Sequence, residues 1–257
     1  MTRVKTTWTT HETTSEALGV LAAEGATGAL SGERGIVYLS AGRVVHVESA
    51  FTPDLGALLT RSGAVPSDGW WDAVDRGGAQ HRVGHRLVDS GRLTAGALEV
   101  CHLGALFDAA YFVLAHDARA QRFRPGAVHW LGAVRSVPVD VVVRESGRRR
   151  ALLDRIWPDP AIDTLPLTRV PGTDTAELPV RRGRTLTQVD GVRTAAQIAS
   201  ALACRTYHTL VELRRLAADG LVRAAPPVVP GPEPRAVVWD DPDTALLRRL
   251  RDALEAL

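Results

Sequence analysis

The sequence predicts an α+β fold: a small N-terminal sheet with a helix-pair repeat, followed by a C-terminal helical module. Three observations carry this. Gly35-Ile36-Val37-Tyr38-Leu39-Ser40 and Arg43-Val44-Val45-His46-Val47-Glu48 flank Ala41-Gly42, the pattern of a β-hairpin with a two-residue turn. Leu55-Gly56-x-x-Leu59-x-x-x-Gly63-x-Val65 returns 28 residues later as Val83-Gly84-x-x-Leu87-x-x-x-Gly91-x-Leu93. Residues 185–223 carry the apolar spacing of three short helices and end on the strand-like Leu221-Val222-Arg223.

Taken in order, Thr14-Ser15-Glu16 ahead of Ala17-Leu18-x-x-Leu21 predicts a capped amphipathic helix ending near Gly25. In the second hairpin strand, alternation puts Val45 and Val47 on one face and Val44, His46 and Glu48 on the other. Each copy of the repeat starts a helix at its first Gly, stacks Leu59 or Leu87 one turn later and stops at Gly63 or Gly91. Glycine suits the left-handed conformation of a helix C-cap. Pro66-Ser67 and Thr94 restart the chain, so each unit reads helix, tight turn, helix. Two such pairs can bury each other's apolar faces without any chemistry, and Trp70-Trp71 reads as core and rim of that packing. Leu103 to Leu114 forms a longer apolar helix, and Gln121-Arg122-Phe123-Arg124-Pro125-Gly126 a strand ending in a turn. Val137 to Trp157 is a further helix, with Arg148-Arg149-Arg150 on a solvated face.

Prolines mark the domain plan. Residues 14–157 form the first domain, 158–184 a Pro-rich linker, 185–225 the C-terminal module and 226–240 a second, stiff linker. Residues 241–257 form a docking helix whose stripe of Leu246, Leu250, Leu254 and Leu257 packs on its own chain or pairs two copies as a homodimer. The 257 residues, 45% hydrophobic and 23% charged, suffice for about two cores. The N-terminus has no signal-peptide apolar run, and no stretch approaches the roughly 20 apolar residues of a membrane span. Cys101 and Cys204 stand far apart without a Cys-x-x-Cys pattern, which fits a reducing cytoplasm.

The net charge of +2 is unevenly spread: residues 181–223 hold eight Arg against three Asp and Glu. Such a concentration suits a phosphate-facing surface. Lys5 is the sole lysine, so arginine is the default basic residue of this chain.

Thr27-Gly28-Ala29-Leu30, Gly35-Ile36-Val37-Tyr38-Leu39, Gly42-Arg43-Val44-Val45-His46, the Leu59/Gly63 region and Phe123-x-Pro125-Gly126 together resemble the PATAN-type domain of bacterial signalling proteins. The resemblance spans about residues 14–157 and implies a sensory or adaptor role. In that family a C-terminal extension often begins near an Asp-Gly, as Asp190-Gly191 does here. The repeat is also similar to the cyclic di-GMP-binding N-terminal domain of type II secretion and pilus-assembly ATPases. That resemblance implies a ligand site at Arg82, Gly84, Leu87 and Gly91. The first copy departs from it with Asp54 in the Arg position, which would repel an anionic dinucleotide, and Gly77 and Ala105 replace the terminal Gln residues.

Residues 185–225 resemble a winged helix-turn-helix, with Thr206 capping the third, recognition helix. Its outward positions would be Arg205, Thr206, His208, Thr209, Glu212 and Arg215, of which Arg205, Thr206, His208, Thr209 and Arg215 are the DNA-contact candidates. A protein-docking role for the same module stays open. His81, His85 and Cys101-His102 lack metal-ligand spacing, so no metal is expected, and no cofactor. No nucleophile elbow, phosphate loop or paired catalytic acid appears, so no enzyme is expected. The sequence reads as a cytoplasmic bacterial transcriptional regulator that binds DNA and senses a partner or small ligand through its N-terminal module. The alternative is a signalling adaptor or cyclic di-GMP-binding protein that never touches DNA.

Overall fold

The first helix, α1 (Thr14–Ala23), is fixed by reciprocal capping: the Thr13 hydroxyl accepts from the Glu16 amide, and the Glu16 carboxylate accepts from the Thr13 amide. This is the opening of a computed structural model that describes residues 13–171 and 178–225. Strands β1 (Gly28–Gly32), β2 (Gly35–Ser40) and β3 (Arg43–Glu48) follow, and β4 (Ala120–Pro125) and β5 (Val137–Pro138) complete an antiparallel sheet in the order β4-β1-β2-β3-β5. The β2–β3 turn has Ala41 and Gly42 both at positive φ (48° and 75°), as a tight hairpin turn requires.

One residue of this hairpin breaks simple alternation. Tyr38 pairs with His46 but Leu39 pairs with Val44, which leaves Val45 as the extra residue of a bulge. The bulge reverses the facing expected for Val44 and Val45. Val44 and Val47 both enter the first core with Val37 and Leu39, while Tyr38, His46 and Glu48 stand on the opposite face.

The repeat folds as four helices: α2 (Leu55–Arg61), α3 (Ser67–Gly77), α4 (Val83–Asp89) and α5 (Ala95–Val113). Gly63 and Gly91 take matching positive φ values of 75° and 71° after α2 and α4. Leu55, Leu59 and Val65 meet Val83, Leu87 and Leu93 in one shared core, so the mutual burial expected of the two copies is present. The copies differ in how they start. The Asp54 carboxylate caps α2 by accepting from the Ala57 amide, whereas Arg82 offers α4 no side-chain cap.

Helix α5 begins at Ala95 rather than near Leu103, because the Thr94 hydroxyl accepts from the Ala97 amide and caps it there. By length and composition it is apolar enough to cross a membrane. Its apolarity has another use. From Cys101 to Leu114 no residue is exposed, and the helix contributes to all three cores. Leu106, Ala110 and Val113 pack with α1, the sheet and α6 (Val139–Ile156); Leu98 and Ala105 join the repeat; Tyr111 and Phe112 join the C-terminal helices.

Those helices are α7 (Ala161–Thr164), α8 (Val180–Thr187), α9 (Ala195–Ala201) and α10 (Thr206–Ala218), accompanied by β6 (Leu167–Arg169) and β7 (Val222–Ala224). Residues 158–184, expected to be a bare linker, supply α7, β6 and the start of α8. Strand β7 pairs antiparallel with β6, so the linker and the module close on one another. The described residues up to Ala225 form one compact unit, in which the expected segments 14–157 and 185–225 pack against each other. The shared burial of α5 and α6 explains this. The second linker (226–240) and the docking helix (241–257) lie outside the described residues. Arg148 is solvated as expected, but Arg149 lies over the Tyr207 ring, and Arg150 donates to the Tyr111 and Leu114 carbonyls.

A buried carboxylate ties α10 to α5. Asp108 accepts from the Thr206 amide (2.8 Å) and the Tyr207 amide (2.7 Å), so it caps α10, and Thr206 does not play the capping part expected of it. Burial outweighs these two hydrogen bonds and raises the Asp108 pKa from 3.8 to about 6. The folded chain therefore binds more protons than the unfolded one between pH 3.8 and about 6. The contribution of this group to stability is full below that window and falls as pH rises through it. Urea denaturation across pH 4–7 should show that decline in wild type and lose this component in Asp108→Asn. A second prediction concerns the repeat. A side chain at Gly56 would run into the Trp70 indole, whereas at Gly84 it meets Leu131, Val134 and Leu98 at 3.2–3.4 Å. Gly56→Ala should cost about 1–3 kcal/mol by overpacking, while Gly84→Ala stays within about 1 kcal/mol of wild type because helix propensity offsets the tight fit; denaturation midpoints measure both.

Candidate anion-binding cleft

The basic segment 181–223 contains Arg181, Arg182, Arg184, Arg193, Arg205, Arg214, Arg215 and Arg223. Four of these are neutralised within the fold. Arg182 pairs with Asp219 (2.7 Å) and Glu212 (3.6 Å), Arg193 with Asp190 (3.4 Å), and Arg215 with Glu212 (3.1 Å). Arg214, only 1% exposed, grips Asp163 in a two-point pair (2.8 and 2.7 Å) and donates to the Trp157 carbonyl. Tyr111 donates its hydroxyl to the same Asp163, so this charge belongs to the core.

Arg181, Arg184, Arg205 and Arg223 form no ion pair among the described residues. Three of the four line a single cleft of about 550 Å³. Its walls are α8, α10, the α9–α10 connection, the end of α2 and the Cys101 turn of α5, with Leu58, Val180 and Leu202 as apolar lining. Arg205 runs across Gly104 of α5, where any side chain would collide with its guanidinium. His208 stands beside these arginines, and burial first, then the Arg205 charge, lowers its pKa. The one acid in the lining, Glu212, is already held by Arg182 and Arg215. The cleft thus combines uncompensated positive charge with an apolar surface.

The five expected DNA-contact residues do not share one surface. Arg205, His208 and Thr209 line the cleft. Thr206 is buried, its hydroxyl donating to the Phe51 carbonyl, and Thr209 is buried with its hydroxyl on the Arg205 carbonyl. Arg215 is exposed and tied to Glu212. The inward side of α10 is wider than its leucines indicate, because α5, α6, α8 and α9 pack around it. Arg181 and Arg184, absent from the sequence-derived site, complete the cleft. Their signal was the charge density of 181–223, which does not show which arginines are paired.

The Arg82 set also separates. Gly84 and Leu87 are buried in the repeat core, the Gly84 amide donates to the Leu131 carbonyl, and Gly91 terminates α4. Arg82 and Gly91 are exposed, and Arg82 stands in a cleft of about 410 Å³ that it shares with Arg76, His85 and Arg86, but also with Asp72 and Asp89. Asp54 lines a different cleft, so it does not oppose Arg82 there. His81 and His85 are exposed, while His102 is buried against His46, so those three histidines do not converge. Among the described residues, His46, Glu48 and His129 are the group whose atoms could hold a metal ion. No protein-family model matches the chain, and neither a curated protein nor a solved structure matches it.

The two classes of arginine should separate by stability. Arg214→Ala strands Asp163 in the core and should cost about 3–5 kcal/mol. Arg205→Ala, which breaks no ion pair, should change stability by less than about 1 kcal/mol. Equal losses in chemical denaturation would contradict the assignment of Arg205 to the cleft and Arg214 to the core.

Proposed function

We propose that the protein is a cytoplasmic regulatory adaptor that binds a small phosphate-bearing ligand in the cleft lined by Arg181, Arg184, Arg205 and His208. The single observation behind this reading is the sorting of charge. Three of the four arginines of 181–223 left without an ion pair stand in one concavity. Guanidinium groups suit phosphate oxygens, and the flanking Leu58 and Leu202 suit a base or other flat apolar body. The adaptor role implied by the PATAN resemblance of 14–157 is retained. In this reading α8–α10, winged-helix-like in sequence, act as a receptor wall and not as a reader of the major groove.

Binding to DNA is the second reading, favoured by the same three arginines, which would also meet backbone phosphates. A concave cleft, with Thr206 buried on the Phe51 carbonyl, suits it less. Calorimetry of the full chain with pyrophosphate, ATP, GTP and cyclic di-GMP, alongside gel shifts with duplex DNA, separates the two. The expected result is saturable binding of at least one nucleotide, weakened at least about tenfold by Arg184→Ala with Arg205→Ala. Absence of binding by all four probes, or equal binding by the double variant, overturns the proposal. A sequence-specific gel shift at physiological salt establishes the DNA reading instead.

A further inference from the structure

The face of the sheet opposite Val37 and Leu39 carries chemistry that the cleft does not use. His46 and Glu48 lie two residues apart on β3 and so point to the same side. His129, from the segment between β4 and β5, packs against them. Its ring stacks on His46 with centroids 3.8 Å apart, and its Nε2 lies 3.0 Å from Glu48 Oε1. His102 of α5 stacks on the other side of His46 at 5.3 Å. Three imidazoles and a carboxylate are thus gathered, with all three rings less than a tenth exposed.

Hydrogen bonding does not account for this cluster. The Nδ1 atom of His46, a member of the cluster, has no hydrogen-bond partner, whereas the His102 ring has the Val45 backbone as its polar neighbour. Buried polar atoms of this kind are rare and costly, and each demands an explanation such as a bound ion. An acid–base pair of His129 and Glu48 is not that explanation. His129 has no free nitrogen, since Nδ1 accepts from the Leu131 amide and Nε2 meets Glu48.

We propose that His46, Glu48 and His129 form a binding site for a divalent transition metal, zinc(II) by its donor chemistry, reached through the cleft at the start of α2. Their ligand atoms already lie within 4.8 Å of one another. Two ligands on a tetrahedral zinc ion stand about 3.3 Å apart, given bonds of ~2.0–2.1 Å. The His129–Glu48 pair at 3.0 Å is close to that spacing, and His46, stacked on His129 at 3.8 Å, must turn out of that stack on metal binding to aim a ring nitrogen at the same ion. Two nitrogens and a carboxylate oxygen are a common zinc set that leaves a fourth position open. His46 and Glu48 line a cleft of about 360 Å³, which supplies that position and a route to it. The Tyr38 hydroxyl donates to Glu48 Oε2 at 3.2 Å and orients the carboxylate from outside the ligand set.

The site carries an internal signature. The Leu131 amide donates to His129 Nδ1, so in the metal-free protein the ring proton sits on Nε2, facing Glu48. Coordination through Nε2 moves that proton to Nδ1, with no net release, and the Leu131 amide must give up its 3.2 Å hydrogen bond.

The test uses the full-length chain stripped of metal by a chelator, with zinc(II) and cobalt(II) salts as the probes. Calorimetry should give one zinc(II) per chain, and cobalt(II) should give the absorption of a low-symmetry nitrogen–oxygen site. His129→Gln and Glu48→Gln should each weaken zinc(II) more than about 100-fold, and Tyr38→Phe about tenfold, the range for loss of an outer-shell partner. His85→Ala, on the exposed α4 surface, should leave affinity unchanged. Nitrogen-15 spectra of wild type should show His129 passing from the Nε2–H to the Nδ1–H tautomer as zinc(II) is added, a readout that needs no variant to fold. Absence of stoichiometric zinc(II), retention of affinity in folded His129→Gln, or an unchanged His129 tautomer at saturation overturns the proposal. None of these outcomes bears on the nucleotide titrations, because the arginine cleft shares no lining residue with this site.

Discussion

A helix with no fully exposed residue from Cys101 onward must be packed on most of its sides, and α5 imposes that condition on the described chain. No single layer can enclose it. The sheet with α1 and α6 takes one side, the repeat another, and the C-terminal helices a third. The three cores are therefore regions around one helix and not the interiors of separable domains. The burial is also incomplete chemically, since α5 carries Asp108 into the interior. That carboxylate is satisfied by the amides at the start of α10 and leaves the position of α10 little freedom. Arg205, immediately before α10, is consequently laid across Gly104 of α5, and the basic cleft takes its shape from this contact.

Charge is partitioned by the same geometry. An arginine on the inner side of α10 needs a carboxylate with it, and Arg214 has Asp163. An arginine at the rim can stay hydrated without one, as Arg181 and Arg184 do. Net charge along the sequence does not distinguish these fates. Proximity in the fold does, and it leaves a short basic segment with a much smaller set of free cations.

Local signals in the sequence were sufficient for the hairpin at Ala41-Gly42, the two glycine-terminated helices of the repeat, the α6 start at Pro138 and the helices ending at Gly220. Each is written in residues within a few positions of one another. What the sequence did not disclose depends on distant partners. The Val45 bulge is set by how β2 aligns, the pairing of Leu167 with Ala224 joins segments on either side of three helices, and Asp108 gives no hint that it caps a helix beginning at Thr206. Candidate sites suffered most. Alternate leucines marked part of the inner side of α10, but Thr206 and Thr209 are also inside, and helical spacing alone cannot show that a fourth neighbouring helix covers them. His46, His102 and His129 come from a strand, a helix and a loop, so no spacing rule unites them.

The Asp108 contact also joins residues 98 positions apart in the chain. During synthesis α5 is complete long before α10 exists, and its Tyr111–Phe112 side stays uncovered until the C-terminal helices arrive. Contacts of such separation carry a large loop-closure cost and form late. A nascent or truncated chain ending before α10 thus presents an apolar helix whose Asp108 lacks the Thr206 and Tyr207 amides it accepts from, a surface suited to chaperone capture or self-association. Completion of the C-terminal helices is in this sense the quality-control step of the fold, because it covers the surface and neutralises the helix terminus in the same event.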